Sequence, residues 1–578
     1  MASRPSDDPK LVATVERTVE HFPPSAKSQL RFILNLMLTR LGSIISTGYW
    51  TTLVEQPLSV RAAILQSWKR SWFSLWPALV RIFIAITKTC WSQTNKLYLQ
   101  LNGHEPYNIE VAPGVEAALK FIEFQEPIEA AVLAEAGLRV VVVDRGYHFA
   151  PEDFPLALNR ADDVMRSLTP NYVRDEWARG GLTFLKEEQS QNHLDRVCEA
   201  MGVSDATIQA NHGNQILLEG SRDSCGLGCH TGTKQSSASF WLPAAARAGA
   251  RFIEGLDIHQ VLFYGNAASR AMGVMGQWTS RDDDGVANSS KPKTQRMVQI
   301  HTKTVILASG ALNTPLLMKM TGLENPNIGR NLHLHPVANI MATWDQEIKP
   351  WEGDMLSSVV TEFEDLDRAG HGAKVSSLAM QPYIAILFNP WRNSIDFKVS
   401  ALQYRHMTCH ISLCRDRDPG SVSAEPIDGS PIINYTPSKF DRAHIATGLV
   451  AAAKLCYLSG ARSLAPAVPD VPHFECDQLP NVSRSLDDGE FADWIRKLEK
   501  TSLDPARTTF NSAHQMGTTR MGTSAETSVV YANGRVWGCE NLYVADTSVF
   551  PSASGVNPMV TVMAIADRIA CGIAAKLN

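Results

Sequence analysis

His514-Gln-Met-Gly-Thr-Thr-Arg-Met-Gly522 is the stretch that decides the fold, and it lies near the end of the chain. Two further blocks follow it, Asn541-Leu-Tyr-Val-Ala-Asp-Thr-Ser-Val-Phe-Pro551 and Ser554-Gly-Val-Asn-Pro-Met-Val-Thr561. The apolar run that opens the second block predicts a short buried strand, and this strand leads directly to the carboxylate of Asp546. The third block begins as a polar turn that contains glycine and asparagine.

Residues 559–575 carry apolar side chains at helical spacing, which predicts an amphipathic helix that begins at Met559. Asn557 and Pro558 then lie at the helix N-terminus. Backbone N–H groups in the first turn of a helix lack intrahelical partners, so they attract electron-rich or anionic ligand atoms. The three blocks together predict a cofactor site whose polar tips are His514 and Asn557.

These blocks resemble the glucose-methanol-choline (GMC) oxidoreductases, flavoenzymes that oxidise alcohols, and most of all the fungal and plant long-chain fatty alcohol oxidases. The resemblance implies FAD as the cofactor. It implies that His514 is the active-site histidine, that Asn557 is its partner, and that Asp546 lies against the flavin dinucleotide. Pro558 and Met559, at the helix start, are expected to contact the same cofactor.

Two upstream segments fit a dinucleotide-binding domain. A helix over residues 128–136 leads to a buried strand over 140–143 that closes on Asp144, and an acidic residue there suits a ribose hydroxyl. A second buried strand, residues 305–308, enters a turn of small residues. By resemblance to the family's second cofactor-contacting strand, Gly310 and Ala311 are expected to touch FAD.

One part of the domain departs from the family pattern. The chain has no glycine between Gly114 and Gly137, although a Gly-x-Gly-x-x-Gly turn lets the backbone approach a pyrophosphate. The glycine-rich loop expected shortly before residue 172 is also absent from the sequence. Three hypotheses follow: an oxidase that holds FAD through other contacts, a non-catalytic descendant that lacks FAD and binds lipid, or an incomplete translation of a true oxidase.

Composition excludes some functions. The net charge of −5 over 578 residues gives no reason to propose a nucleic-acid partner. Cys225 and Cys229 are not followed by a second pair at zinc-site spacing, so a glycine turn with two thiols is preferred to a metal site. His333 and His335 are interpreted as two histidines on one face of a strand near a domain junction. No metal is therefore predicted.

The N-terminal 105 residues are predicted to be helical. Their most apolar run, residues 75–86, is short for a membrane span, and it is bordered by Arg70 and Lys88 and contains Arg81. The residues leave two interpretations open, an ordinary amphipathic helix packed on the main domain and a helix on a membrane surface with basic residues at its rim. The family resemblance favours the second, because long-chain alcohol oxidases handle lipid alcohols and are commonly membrane-associated. No secretory signal pattern is present. The prediction is an intracellular, membrane-associated protein, endomembrane or peroxisomal.

The predicted fold class is α/β, α+β overall, with a Rossmann-like FAD-binding domain, a β-sheet substrate domain and an N-terminal helical extension. The expected domains are 1–105 (helical), 106–336 (FAD-binding), 337–509 (substrate) and 510–578 (return to the FAD-binding domain). In the substrate domain, strands are predicted at 400–413, 421–424 and 431–435, with 415–420 as the turn between two of them. The expected reaction oxidises a long-chain primary alcohol to an aldehyde with O2 as acceptor, giving H2O2. The sequence does not determine which alkyl-chain length of the alcohol is preferred, and it does not determine the oligomeric state.

Overall fold

The structure is a computed structural model, and it describes most but not all of the chain. The described residues are 9–20, 22–69, 71, 75–94, 128–145, 169–200, 241–265, 269–282, 293–350, 358–378, 380, 388–390, 394–477 and 483–577. The stretch without glycine before residue 128, the segment 146–168, the Cys225–Cys229 turn and Arg70 lie outside them. The eight described cysteines are all free thiols.

The described N-terminal residues form five helices: α1 (Pro9–Glu20), α2 (Pro24–Met37), α3 (Arg40–Thr47), α4 (Leu58–Lys69) and α5 (Leu75–Thr94). Apolar residues recur at three- and four-residue spacing from Val60 to Lys88, which predicts a helix through this stretch, but the structure divides it between α4 and α5. Lys88 is buried on α5, and its Nζ donates to the Asn389 carbonyl, so it is not part of a basic rim at a membrane. No described helix has both the length and the apolar character needed to cross a bilayer.

Residues 128–320 alternate helices with short strands. β1 and β2 pair in parallel, as in an α/β domain, while β3, β4 and β5 form an antiparallel sheet. The elements are α6 (Ile128–Glu135), β1 (Val141–Val143), α7 (Asn171–Arg179), α8 (Glu188–Ala200), α9 (Leu242–Arg247), β2 (Arg251–Ile253), β3 (Leu256–Phe263), β4 (Ala271–Thr279), β5 (Gln295–His301), β6 (Val305–Leu307) and α10 (Gly310–Met320).

The region after residue 330 is built on a six-stranded antiparallel sheet with the order β15-β14-β8-β11-β10-β9. β8 lies inside it and is buried along its whole length. A second sheet joins β13, β12 and β7. The elements are β7 (Arg330–Leu332), β8 (Val337–Thr343), β9 (Val359–Val360), β10 (Ala373–Leu378), α11 (Ser394–Leu402), β11 (Met407–Cys414), β12 (Gly420–Ala424), β13 (Pro431–Asn434), α12 (Lys439–Leu458), β14 (Ser463–Pro466), β15 (Phe474–Glu475) and α13 (Gly489–Glu499).

Two sequence-based expectations for this region are wrong. The strand predicted over 400–413 is the end of α11 followed by β11. The segment 415–420 does not join neighbouring strands, because β11 and β12 belong to different sheets. It is a crossing between sheets, and Arg415 and Asp416 are buried within it.

The C-terminal segment returns to the first region. β16 (Leu542–Val544) pairs in parallel with β6, and α14 (Met559–Leu577) packs against α6 and α8. Its residues share one apolar core with residues 132–329, while α12 and α13 form a second core with the six-stranded sheet. The α/β class is therefore confirmed. The numerical domain limits stay a prediction.

Candidate active site

His514 lies in a segment that runs antiparallel to residues 333–337. Two isolated bridges, His333 with Met516 and Val337 with Asn511, hold the segments together on either side of it. This pairing places His514 across from the chain that joins β7 to β8. The stretch that decides the fold is thus attached to the start of the six-stranded sheet.

His335 connects the two predicted catalytic segments. Its Nδ1 lies 3.1 Å from Nδ1 of His514, and the two rings are perpendicular. Its Nε2 accepts a hydrogen bond of 3.0 Å from the Gly555 amide, two residues before Asn557. The structure therefore brings the His514 segment and the Asn557 turn to the two nitrogens of one imidazole. Asn557 itself is half-buried.

Asp416 holds His335 in an uncommon backbone conformation. His335 has a φ of 48°, in the left-handed region that non-glycine residues rarely adopt. Asp416 Oδ1 accepts from the His335 amide at 3.0 Å, and Oδ2 accepts from the Leu334 amide at 3.1 Å. Oδ2 also contacts His333 Nδ1 at 3.2 Å and accepts from the Tyr435 hydroxyl at 3.1 Å. Burial opposes ionisation, but His333 and these donors outweigh it and lower the pKa of Asp416 to about 2.

Burial also fixes the protonation of the two histidines. It lowers the pKa of His514 to about 4, and it holds the pKa of His335 well below its usual range, with His514 as the second cause. Both rings are therefore neutral near pH 7. Because a backbone amide can only donate, His335 Nε2 carries no proton, and the single proton of His335 lies on Nδ1. It is donated to His514 Nδ1, which leaves the proton of His514 on Nε2.

The expected cofactor-contacting residues Asp546 and Gly310 lie together where the parallel strands β16 and β6 end. Asp546 Oδ2 accepts from the Gly310 amide at 2.9 Å and from Thr314 Oγ1 at 2.6 Å, and Oδ1 accepts from the Ser548 amide at 2.8 Å. The carboxylate is buried, and burial raises the pKa of Asp546. Asp546 thereby caps α10 and joins the two strand ends.

This strand edge fits the approach of a dinucleotide. Gly310 has a φ of 77°, and apart from its chain neighbours and the backbone of α10 no atom of the described residues lies within 4 Å of where a Cβ would be, so this side of its backbone is open to close approach. Ligands of parallel sheets bind outside the carboxyl ends of the strands, next to helix N-termini. The α10 start meets both conditions. The helix begins at Gly310, where Asp546 caps it.

Ala311 links α10 to the His514 segment. Pro315 lies inside α10 and has no N–H to give to the Ala311 carbonyl. That carbonyl accepts instead from Thr518 Oγ1 at 2.6 Å. The helix beside the expected cofactor edge is thus bonded to the stretch that carries the histidine.

The remaining predicted residues lie at two other places. The Pro558 carbonyl accepts from the Val562 amide at 2.8 Å, so Pro558 is the N-cap residue directly before α14, and half-buried Met559 is the first residue of the helix. Asp144 is half-buried at the end of β1; its amide donates to the carbonyl of Ile253, the last residue of β2, and its carbonyl accepts from the amide of Leu256, the first residue of β3. The contacts of all three with FAD stay predictions.

Among the residues that the structure describes, one group has the donor types of a metal site: His193, Asp567 and Cys571. Asp567 is fully buried on α14, 2.5 Å from His193 Nδ1 and 3.0 Å from the Arg196 guanidinium. A guanidinium at this distance already neutralises the carboxylate. The group is an ion pair that fastens α8 to α14.

Sequence reasoning missed three residues of the site: His335, Arg415 and Asp416. His335 was interpreted as one of two histidines on a strand face, which is wrong, because β7 ends at Leu332 and the two rings meet different partners. Arg415 and Asp416 lie in the segment 415–420, which the sequence predicts as a turn between two strands. The available clue was a pair of charges directly after a strand, β11, that contains no Asp, Glu, Lys or Arg.

Comparison with known proteins identifies relatives. The models of the N-terminal and C-terminal regions of the GMC oxidoreductases match residues 164–337 and 416–566. Together the two matches cover more than half of the chain. The second begins at Asp416 and includes His514, Asp546 and Asn557.

Individual relatives are more distant. The long-chain-alcohol oxidase FAO1 of Arabidopsis thaliana is 25% identical, over 94% of this chain and 86% of its own length. FAO4A of the same plant is 29% identical, over 77% of this chain and 66% of its own length. Among solved structures, a variant of formate oxidase from Aspergillus oryzae aligns with 15% identity and a TM-score of 0.43, over 67% of this chain and 70% of that one.

Proposed function

The chain belongs to the GMC oxidoreductase family, whose cofactor is FAD, and we propose that it oxidises long-chain primary alcohols to aldehydes with O2 as the acceptor. The observation that carries this proposal is the arrangement at His335, which holds the His514 segment at one nitrogen and the Asn557 turn at the other. The substrate class is taken from the relatives, which are named long-chain-alcohol oxidases.

The roles follow from the chemistry of alcohol oxidation, in which a hydroxyl proton and a hydride leave one carbon. His514 accepts the proton, since a neutral imidazole suits a general base. Asn557 holds the alcohol oxygen in place. When bound, FAD supplies the acceptor for the hydride and the means of passing electrons to O2. Gly310, Ala311 and Asp546 would hold the dinucleotide at the strand edge.

An apolar face adjoins the histidines. β8 begins two residues after His335, and residues from β8, β11 and their neighbours form a buried apolar cluster on this sheet: Val337, Met341, Met380, Tyr404, Met407, Cys409, Ile411 and Ala465. The side chains of this cluster pack against one another, so the sheet next to the two histidines is hydrocarbon. The choice of a long-chain over a short polar alcohol rests on the relatives.

The test is to purify the protein, record its flavin absorbance and measure peroxide from 1-dodecanol. We expect bound flavin, peroxide formation and no peroxide from His514→Ala at equal flavin content. His301→Ala, at an exposed position on β5, is the control and should behave as the parent. Flavin without peroxide would refute the alcohol oxidase proposal. Absence of flavin would favour the non-catalytic, lipid-binding alternative, and transcript sequencing across residues 110–175 would test the incomplete-translation hypothesis.

We also propose that the protein attaches to a membrane surface, through α3 rather than α5. The burial pattern of α3 is the reverse of that expected for a helix in water. It buries the small residues Gly42, Ser43 and Ser46. It exposes the large apolar residues Leu41, Ile44 and Ile45. Other large apolar side chains of the same region are more than half exposed: Phe32, Leu38, Trp50, Val54 and Leu58. Such a concentration of exposed apolar groups is typical of an interaction surface.

The local charge favours an anionic lipid surface as the partner. Residues 21–54 contain Lys27, Arg31 and Arg40 and no acidic residue, although the whole chain is acidic. Arg40 lies 5.9 Å from the ring centre of Trp50, and tryptophan and arginine are residues that favour the lipid headgroup region. The organelle stays a prediction.

Matched variants test the attachment. Ile45→Asp changes a side chain that is 75% exposed on α3, and Ile427→Asp changes one that is 77% exposed on the β12–β13 turn. We expect the first to abolish sedimentation with vesicles of phosphatidylcholine and phosphatidylserine and the second to leave it unchanged. Equal sedimentation of both variants would refute attachment through α3.

A further inference from the structure

Arg415 and Asp416 are adjacent buried charges whose side chains serve different segments. They lie in the crossing from β11 to β12, and each side chain is 4% exposed or less. Asp416 bonds to residues 333–335, and Arg415 bonds to the turn that precedes Asn557. In the described part of the chain neither side chain forms a hydrogen bond or ion pair with His514, so any effect on it passes through a neighbour.

Asp416 fixes the position of the His335 ring through the backbone. Its carboxylate accepts from the amides of Leu334 and His335, and it contacts the His333 ring and the Tyr435 hydroxyl. Two consecutive amides on one carboxylate keep the chain in the turn that gives His335 its positive φ. Without that turn, the ring would not be held between His514 and Gly555.

Arg415 fixes the other partner of His335. Its Nε donates to the Ala553 carbonyl at 2.9 Å, and its Nη2 donates to Ser552 Oγ at 3.3 Å and to Glu176 Oε2 at 2.6 Å. Ser552 Oγ in turn donates to Glu176 Oε1 at 2.7 Å. The guanidinium and the Glu176 carboxylate thus clamp the turn directly before Gly555.

We propose that Arg415 and Asp416 are a pair of positioning residues that sets the spacing between the His514 segment and the Asn557 turn. Arg415 and Asp416 are neighbours in the chain. Both segments are therefore bonded to the same dipeptide, and this fixes the distance between them. The Gly555 amide then meets His335 Nε2, and His335 Nδ1 meets His514. This inference rests on the proposed function for its effect on turnover, but its effect on the two segments is independent of turnover.

The chain contains a matched control two residues further on. Arg417 and Asp418 repeat the same pair of residue types, form an ion pair with each other, and have side chains that are 46% and 44% exposed. The test compares Asp416→Asn and Arg415→Lys with Asp418→Asn and Arg417→Lys. Tyr435→Phe removes one donor to Asp416 and leaves the backbone untouched, so it serves if Asp416→Asn does not fold.

The first measurement is hydrogen–deuterium exchange of the purified protein. Asp416→Asn and Tyr435→Phe should speed exchange in peptides that cover 331–337, and Arg415→Lys should speed it in peptides that cover 552–557. The control variants should match the parent at both places. Unchanged exchange in the folded variants would overturn the proposal, whether or not the protein is an oxidase.

The second measurement is turnover at equal flavin content. We expect Asp416→Asn and Arg415→Lys to lower kcat about 10- to 100-fold with KM within a few-fold, because small displacements of a catalytic group cost about this much. The controls should retain the parent kcat. Faster exchange with an unchanged kcat would refute the positioning role, while a parent that makes no peroxide would refute only the proposed function.

Discussion

The burial of His514 has a consequence for stability that can be measured without substrate or cofactor. Its pKa is lowered from 6.5 to about 4 in the folded protein. Between these values the unfolded chain binds a proton at this residue and the folded chain does not. Stability is therefore complete above about pH 6.5, and it is lost as the pH falls towards 4.

The size of the loss follows from the shift. With the two pKa values above, the proton taken up by the unfolded chain removes about 2 kcal/mol of unfolding free energy between pH 7.5 and pH 5. His514→Gln removes the titrating group and keeps a polar side chain. We therefore expect its unfolding free energy to fall by about 2 kcal/mol less than that of the parent over this range.

The assay is guanidinium unfolding at pH 7.5 and pH 5, followed by tryptophan fluorescence. His301→Gln, at an exposed position on β5, is the control, and its pH dependence should equal that of the parent. If His514→Gln loses as much stability as the parent between the two pH values, the imidazole is not buried as a neutral group. The same result would remove the basis for treating it as a neutral base.

Two further substitutions test the framework around the site. Asp546→Ala leaves the buried amides of Gly310 and Ser548 without an acceptor, and we expect thermal unfolding to show a loss of about 2–5 kcal/mol; a loss below about 1 kcal/mol would contradict the capping role. Gly555→Ala and Gly429→Ala both place a side chain at a φ of 71°, so each should lower the free energy of unfolding by about 1–2 kcal/mol. Only at Gly555 would the new Cβ also lie 3.1 Å from Arg415. Peroxide formation should therefore fall in the first variant alone, and equal activity in both would count against the clamp.

The parts of the fold that were predicted correctly have local causes. The strand before Asp546 and the helix from Met559 follow from short apolar runs with the period of their element, and both are found within a residue or two of the predicted limits. The separation of α4 from α5 was missed because apolar spacing continues through the break. The helical part of 400–413 was missed because Phe397 and Ala401, which α11 buries, lie partly outside the predicted run.

Only those site residues that lie within a recognisable sequence motif could be predicted. His514 and Asn557 each lie in a block with a recognisable pattern, whereas their connection depends on His335, 179 positions earlier than His514. The left-handed backbone of His335 depends in turn on Asp416, in a segment whose composition resembles a solvent-exposed turn. A buried charge has no local signature, since the groups that neutralise it come from elsewhere in the fold.

The positions of the protons place a condition on the role of His514 as a base. At rest, the Gly555 amide directs the proton of His335 to Nδ1, and His514 then carries its own proton on Nε2. For Nε2 to accept the hydroxyl proton, both histidines must first exchange tautomers, which breaks the bond from Gly555. After the exchange the Nε2–H of His335 and the Gly555 N–H are two buried donors that face each other without an acceptor, which costs about 1–3 kcal/mol for each group. A turnover of about 1–1000 per second corresponds to a barrier of roughly 13–17 kcal/mol, so the exchange is less than half of it. The assignment of His514 as the base is therefore energetically consistent with the resting geometry. The strength of the hydrogen bond from Gly555 determines the free energy that the tautomer exchange adds to the barrier.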